Sequence, residues 1–217
     1  MVRAQMMLFK RLFSLAPKYG SKISLEIVGK DSNIALLKLN DPRTLNKLSS
    51  YVIEELIQKL GVVEKDKSIQ LVMLTGNGRA FSQGADILEM VHYTYEDVKK
   101  MDFPKAWYAI SQFKKPKISA VNGFCFGGGF EISMMFDAII GSKKAVFSLP
   151  EIKIGTIPGC GGTQRLPRLV GKSLAMELIL TGDRLSATEA LEAKVISKIV
   201  EPEDFIAFGE SYIQNNI

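Results

Sequence analysis

An α/β domain of repeated ββα units is what this 217-residue sequence predicts, and three observations carry that reading. Short runs rich in Ile, Val and Leu recur at strand length, and amphipathic or good helix-forming segments alternate with them. Glycine- and proline-rich turns punctuate the junctions, so strand pairs leading into helices are the repeating theme. With 47% hydrophobic residues the chain can bury one large core, and a single domain over residues 23–217 is expected behind an N-terminal extension.

The extension, residues 1–22, holds Arg3, Lys10, Arg11, Lys18 and Lys22 and no acid, and a helical register gathers Met6, Leu8, Phe9, Leu12 and Phe13. A basic, acid-free amphipathic leader suits a mitochondrial transit peptide, which places the mature protein in the mitochondrial matrix. The alternative is an ordinary basic amphipathic extension. Residues 23–28 and 34–39 read as a β-hairpin, residues 49–59 as a helix with Val52, Ile53, Leu56 and Leu60 on one face, and residues 69–75 as a third strand. A loop, Phe81 to Ile87, joins that strand to a helical segment. A charged stretch (93–102) and a segment around the only tryptophan, Trp107, lead to Lys114-Lys115-Pro116-Lys117, a boundary before a central buried strand at residues 118–121.

After the turn Asn122-Gly123, three consecutive glycines, Gly127 to Gly129, open a helix at Glu131. Two short strands (138–141 and 145–148) reach Leu149-Pro150-Glu151, and a second glycine-rich turn, Gly155 to Gly162, follows. A helix beginning at Thr163 ends at Gly171, another spans 173–180, and Ser186-x-x-Glu189 has capping-box spacing for a third. A last strand at 195–200 and a helix at 205–214 complete the prediction.

Composition excludes several classes. The formal charge is +5, but without the five basic residues of the extension 23 basic residues face 23 acidic ones, so a nucleic-acid partner is not expected. No apolar run reaches membrane-spanning length, so no membrane partner is expected. The single histidine, His92, argues against multi-histidine metal sites and a Ser-His-Asp triad, and no metal or cofactor is expected. Cys125 and Cys160 are too few for a disulfide framework and read as reduced thiols. No phosphate-binding P-loop or dinucleotide fingerprint is present.

The chemistry concentrates between Lys117 and Gly162. Glu131 and Glu151, each flanked by glycine turns, suit general acid–base work, one taking a proton while the other delivers one. Burial raises the pKa of both, whereas N–H groups at the helix start pull Glu131 the other way. Two glycine-lined loops, Gly84-Ala85 and Gly127-Gly128, could each aim one N–H at a single carbonyl oxygen, an oxyanion hole that stabilises an enolate.

Four blocks in order, residues 74–87, 115–131, 149–166 and 180–187, resemble the enoyl-CoA hydratase (crotonase) family, hydratase branch, over roughly residues 23–217. The resemblance implies the crotonase fold of stacked ββα turns, with a shortened C-terminal helical region, and assembly as a homo-oligomer, trimer or hexamer. It implies oxyanion-hole amides at Ala85 and Gly128, and Glu131 and Glu151 as the residues that activate water and protonate the α-carbon. Gly159 would position substrate and water, the backbone of Ala85, Asp86, Ile87 and Leu88 would hold the adenine end of coenzyme A, and Arg43 would stand near its phosphates. Trp107 resembles the aromatic residue beside the acyl tail, although a core tryptophan fits equally well. The implied reaction adds water across the C2=C3 bond of a 2-enoyl-CoA in fatty-acid or branched amino-acid breakdown. The alternatives are an enoyl-CoA isomerase, another crotonase reaction, or a truncated inactive relative that binds coenzyme A. The resemblance departs from the family pattern at Leu88, where a lysine is common, and at Phe136, where a smaller residue is common.

Overall fold

The computed structural model describes residues 20–216 except 92 and 102. The expected leader therefore lies outside the described residues as far as residue 19, and so does His92. The residues that follow are tied down: the Lys22 N–H donates to Glu55 at 2.9 Å and its ammonium pairs with Asp41 at 2.8 Å.

Strands β1 (Ile23–Val28) and β2 (Ile34–Leu39) form the expected antiparallel hairpin, and helix α1 (Ser50–Lys65) follows. Ser49 caps α1, accepting from the N–H of Val52, and the helix runs through Gly61 to Lys65, beyond the predicted end. Strand pairs and helices then alternate. β3 (Leu71–Gly76) and β4 (Ala80–Ser82) lead to α2 (Ile87–Met90), α3 (Tyr95–Met101) and α4 (Phe103–Ser111). β5 (Lys117–Val121) and β6 (Phe124–Phe126) lead to α5 (Gly128–Ser133). β7 (Ala138–Gly141) and β8 (Val146–Ser148) lead to a 3-10 turn (Pro150–Ile154), α6 (Gly162–Val170) and α7 (Lys172–Thr181). The chain continues through β9 (Arg184–Ser186), α8 (Ala187–Glu192), β10 (Lys198–Ile199) and α9 (Phe205–Asn216). Both halves of the Ser186–Glu189 capping box form.

The β1-β2 hairpin lies in one sheet, whereas in the pairs β3-β4, β5-β6 and β7-β8 the first strand joins that sheet and the second joins another. The larger sheet has the order β1-β2-β3-β5-β7-β10, the smaller β4-β6-β8-β9. Glycine permits the step between sheets: a Cβ on Gly76 would collide with the carbonyl of Ala80, and one on Gly123 with that of Arg79. The Asn122 side chain, accepting from Gly76 N–H at 3.1 Å and donating to the Gly78 carbonyl at 2.8 Å, stitches one step to the next.

Three strands were missed by the sequence reading. β4 falls in a predicted loop, while β6 and β9 were not predicted at all; each is three residues long, too short for a period-2 pattern to stand out beside glycine. The predicted last strand shrinks to Lys198–Ile199, and α5 opens within the glycines rather than at Glu131.

Both faces of the larger sheet are covered. In β2, Ala35, Leu37 and Leu39 face one hydrophobic cluster while Ile34 and Leu36 face another, which explains why its sequence is nearly continuously apolar. The first cluster holds the buried face of α1 and the rings of Phe130 and Phe147, 5.2 Å apart, beneath the smaller sheet. Each such buried aliphatic or aromatic side chain contributes about 1.5–3 kcal/mol. The second cluster is closed by Phe205 on α9.

The smaller sheet positions the site. β4, β6 and β8 are parallel neighbours, so their carboxyl ends emerge side by side, the edge at which open α/β sheets hold ligands. The segments leaving those ends are Gln83-Gly84-Ala85, Gly127-Gly128 and Leu149-Pro150-Glu151.

Candidate active site

The first two segments touch. A Cβ on Gly84 would lie 3.2 Å from the nitrogen of Gly128, and one on Gly128 would lie 3.4 Å from the nitrogen of Ala85. Gly84 and Gly127 have φ of 99° and 50°, where side chains are disfavoured. Among the described residues neither the Ala85 nor the Gly128 N–H donates a hydrogen bond. Two amide donors without acceptors, from loops distant in sequence, stand together.

Asn46 holds the first loop in place. Its buried side-chain amide donates to the carbonyls of Asn77 at 3.0 Å and Ala80 at 2.8 Å, and its backbone carbonyl accepts from Ser82 Oγ at 2.8 Å. Ser82 Oγ in turn accepts the Gly84 N–H at 3.0 Å. Leu48 brackets the same loop, its N–H on the Gly84 carbonyl at 2.8 Å and its carbonyl on the Asp86 N–H at 2.9 Å.

Glu131, 2% exposed, reaches from the first turn of α5 to the second glycine turn. Its Oε1 accepts the N–H groups of Cys160 at 2.7 Å and Gly162 at 2.8 Å. The expected donors at the start of its own helix are thus replaced by donors at the start of α6, whose dipole also favours negative charge there. Burial pushes the Glu131 carboxyl up, and those two N–H groups and Arg165 pull it back without cancelling the rise. Glu151 stands in the 3-10 turn beside Gly127, where a Cβ would lie 3.2 Å from Glu151 Oε1. Its Oε2 is buried with no hydrogen-bond partner among the described residues. Burial, aided by the nearby charge of Glu131, pushes its pKa up to about 7. The two carboxyls therefore differ: one is anchored through one oxygen, the other carries an unsatisfied oxygen and titrates near neutrality.

Gly159 is exposed, and a Cβ there would meet only open space, next to the residue whose N–H holds Glu131. Trp107 is 2% exposed and its ring presses on Gly128, where a Cβ would lie 2.8 Å from Cη2. The coenzyme-side residues sit further out. The Asp86 carboxylate pairs with Lys47 at 2.7 Å, the side chains of Ile87 and Leu88 are exposed, and Arg43 is exposed on a 3-10 turn (Pro42–Thr44). Sequence reasoning missed Asn46, whose role depends on contacts more than thirty residues away, and Arg165, whose guanidinium donates to the Cys160 carbonyl at 2.9 Å. Both cysteine thiols are buried and pushed up well above the ordinary thiol range, chiefly by burial. Among the described residues no cluster of three or more His, Cys, Asp or Glu could hold a metal ion, and no helix is long and apolar enough to cross a membrane.

Residues 29–210 match the family model described as enoyl-CoA hydratase/isomerase. The chain belongs to the enoyl-CoA hydratase/isomerase family. Within that family it is 50% identical over 178 residues to the enoyl-CoA hydratase, mitochondrial, of Pongo abelii, covering 82% of this chain and 61% of that protein. It is 45% identical over 195 residues to the probable enoyl-CoA hydratase, mitochondrial, of Dictyostelium discoideum, covering 89% and 70% respectively. The crystal structure of enoyl-CoA hydratase from Bacillus anthracis superimposes with a TM-score of 0.82 at 35% identity, covering 90% of this chain and 78% of that one. The stacked ββα architecture of the crotonase fold, expected from the resemblance, is the fold observed.

Proposed function

We propose that the protein is an enoyl-CoA hydratase, adding water across the C2=C3 double bond of a 2-enoyl-CoA thioester to give a 3-hydroxyacyl-CoA. The observation that carries this reading is the meeting of two unengaged amides, Ala85 and Gly128, with two carboxyls of unlike environment, Glu131 and Glu151.

In this mechanism the thioester oxygen accepts both amides, which draws electron density from the double bond. Each such donor contributes about 3 kcal/mol to stabilising the enolate. Glu131, with Oε1 occupied by backbone N–H groups, keeps Oε2 to orient a water and take its proton as the oxygen bonds to C3. The enolate collapses as C2 takes the proton of Glu151, whose pKa of about 7 leaves a substantial fraction of the acid form near neutrality. Proton exchange then restores both carboxyls. The chemistry is proton transfer and charge stabilisation, for which no metal or redox cofactor is needed. One carboxyl for water and one for C2 favours hydration over double-bond migration, which needs only a single shuttling base.

In the same reading, Gly159 leaves room for the acyl portion and water, the backbone of Ala85 to Leu88 and the Arg43 guanidinium receive coenzyme A, and Trp107 bounds the acyl pocket. The basic leader delivers the chain to the mitochondrial matrix for fatty-acid or branched amino-acid breakdown, a reading supported by two relatives named mitochondrial. The functional protein assembles as a trimer or hexamer. Crotonyl-CoA tests the activity: purified protein should abolish the absorbance of the conjugated thioester, and an unchanged spectrum at high enzyme concentration would refute the assignment.

A further inference from the structure

The Cys160-Gly161-Gly162 turn supplies both N–H groups that hold Glu131, so whatever fixes that turn fixes the carboxylate. Arg165 lies one helical turn into α6 and folds back over it. Its Nη1 donates to the Cys160 carbonyl at 2.9 Å, which sets the orientation of the peptide between Cys160 and Gly161. Gly161, at φ 102°, has no Cβ to obstruct the guanidinium, and one built there would fall inside Nη1. The far side of the guanidinium faces Tyr108, with Cζ 5.9 Å from the ring centroid. Tyr108 belongs to α4, the helix whose Trp107 ring presses on Gly128. Arg165 thus spans from the turn that holds Glu131 to the helix that packs on one of the two free amides.

We infer that Arg165 is a positioning residue for the proposed hydration: it locks the Cys160–Gly162 turn so that two N–H groups stay on Glu131 and its free oxygen stays aimed at water. This inference rests on the hydratase reading for its kinetic consequence, though not for its structural one. The titratable and charged groups bearing on Glu131 are Arg165 from α6, Cys160 from the turn and Glu151 from the 3-10 turn, and Arg165 is the only cation among them. Losing it removes charge compensation and loosens the two donors together, so Glu131 should hold its proton to higher pH.

Two variants and two readouts decide the matter. R165Q removes the charge and the planar guanidinium, whereas R165K keeps the charge but cannot lie flat over Gly161. For R165Q, kcat of crotonyl-CoA hydration should fall about 10- to 100-fold with KM changed less than about threefold, as for a group misplaced in the transition state rather than lost from ground-state binding. The 13C carboxyl resonance of Glu131, assigned with E131Q, should titrate at higher pH in R165Q and near the wild-type value in R165K. R165K should still lose about tenfold in kcat, because geometry is only partly restored. An unmoved Glu131 titration in R165Q, or wild-type kcat in R165K, overturns the inference. If wild-type protein leaves crotonyl-CoA untouched, the hydratase reading fails by itself, and the Glu131 titration still decides the role of Arg165. Should R165Q not fold, the kcat of R165K carries the decision.

Discussion

Glu131 and Glu151 influence each other's charge, yet they are satisfied in opposite ways: Glu131 Oε1 takes two backbone N–H bonds, while Glu151 Oε2 is buried with none among the described residues. Two identical side chains thereby acquire distinct chemistry from their surroundings. A carboxyl held by donors at a helix N-terminus can orient and deprotonate water. One that is desolvated and unpaired holds a proton it can release.

Replacing either carboxyl by its amide isostere should separate these roles from binding. E131Q and E151Q should each lower kcat of crotonyl-CoA hydration by about 10²- to 10⁴-fold, with small effects on KM. Steady-state kinetics of both variants provides the check, and deuterium incorporation at C2 of the product in heavy water should be slowed most by E151Q.

The burial of Glu151 should also cost stability at high pH. Its pKa is near 4.5 in the unfolded chain and about 7 in the folded one, so between those values the folded protein holds a proton that the unfolded chain has released. Stability therefore falls as pH rises from about 4.5 to 7, and the penalty is fully present above 7. E151Q, which cannot ionise, should be more stable than wild type by about 1–3 kcal/mol at pH 8, after discounting for partial exposure, and indistinguishable at pH 4. Thermal denaturation at the two pH values measures it. In the wild type, kcat/KM should decline as pH rises through about 7, because the acid form of Glu151 is then lost.

Gly128 has no room for a side chain. A Cβ there would lie 2.8 Å from Trp107 Cη2 and close to the Ala85 nitrogen, so G128A must displace either the tryptophan or the loop. We expect kcat to fall by about 10²-fold or more, the loss associated with one oxyanion donor. The double variant G128A/W107F should recover part of that loss if the tryptophan is the obstacle.

Asn46 should matter for both stability and rate. N46A removes the shorter of the two side-chain donors on the Ala80 carbonyl, leaving Asn122 at 3.5 Å, and removes the acceptor of the Asp41 N–H, a destabilisation of about 2–4 kcal/mol measurable by urea unfolding. Because the Asn46 side chain holds the Ala80 carbonyl at the start of the strand that leads into the Gly84 loop, the folded fraction should also turn over more slowly.

The strand pairs, long helices and capping box were legible because their periodicity and cap chemistry are local, as the Ser186–Glu189 capping box illustrates. The two glutamates were singled out by the glycine-rich turns around them, and the fold brings both beside those turns. What surrounds them was not legible. The donors on Glu131 lie 29 and 31 residues downstream, and Arg165 acts through a carbonyl rather than a recognisable motif. Strands β4 and β6 escaped because three residues beside glycine carry no periodic signal, yet their parallel pairing is what brings the Gly84 and Gly127 loops together. Sequence pattern names candidate groups; sheet topology decides which of them meet.

The central claim is that the amides of Ala85 and Gly128 share one thioester oxygen while Glu131 and Glu151 flank the adjacent double bond. The structure of the slow variant E151Q with crotonyl-CoA bound tests it most directly. We predict the thioester oxygen within about 3.1 Å of both amide nitrogens, C3 and its water beside Glu131, and C2 beside residue 151. A bound thioester whose oxygen contacts neither amide, or whose double bond lies away from Glu131, would contradict the account.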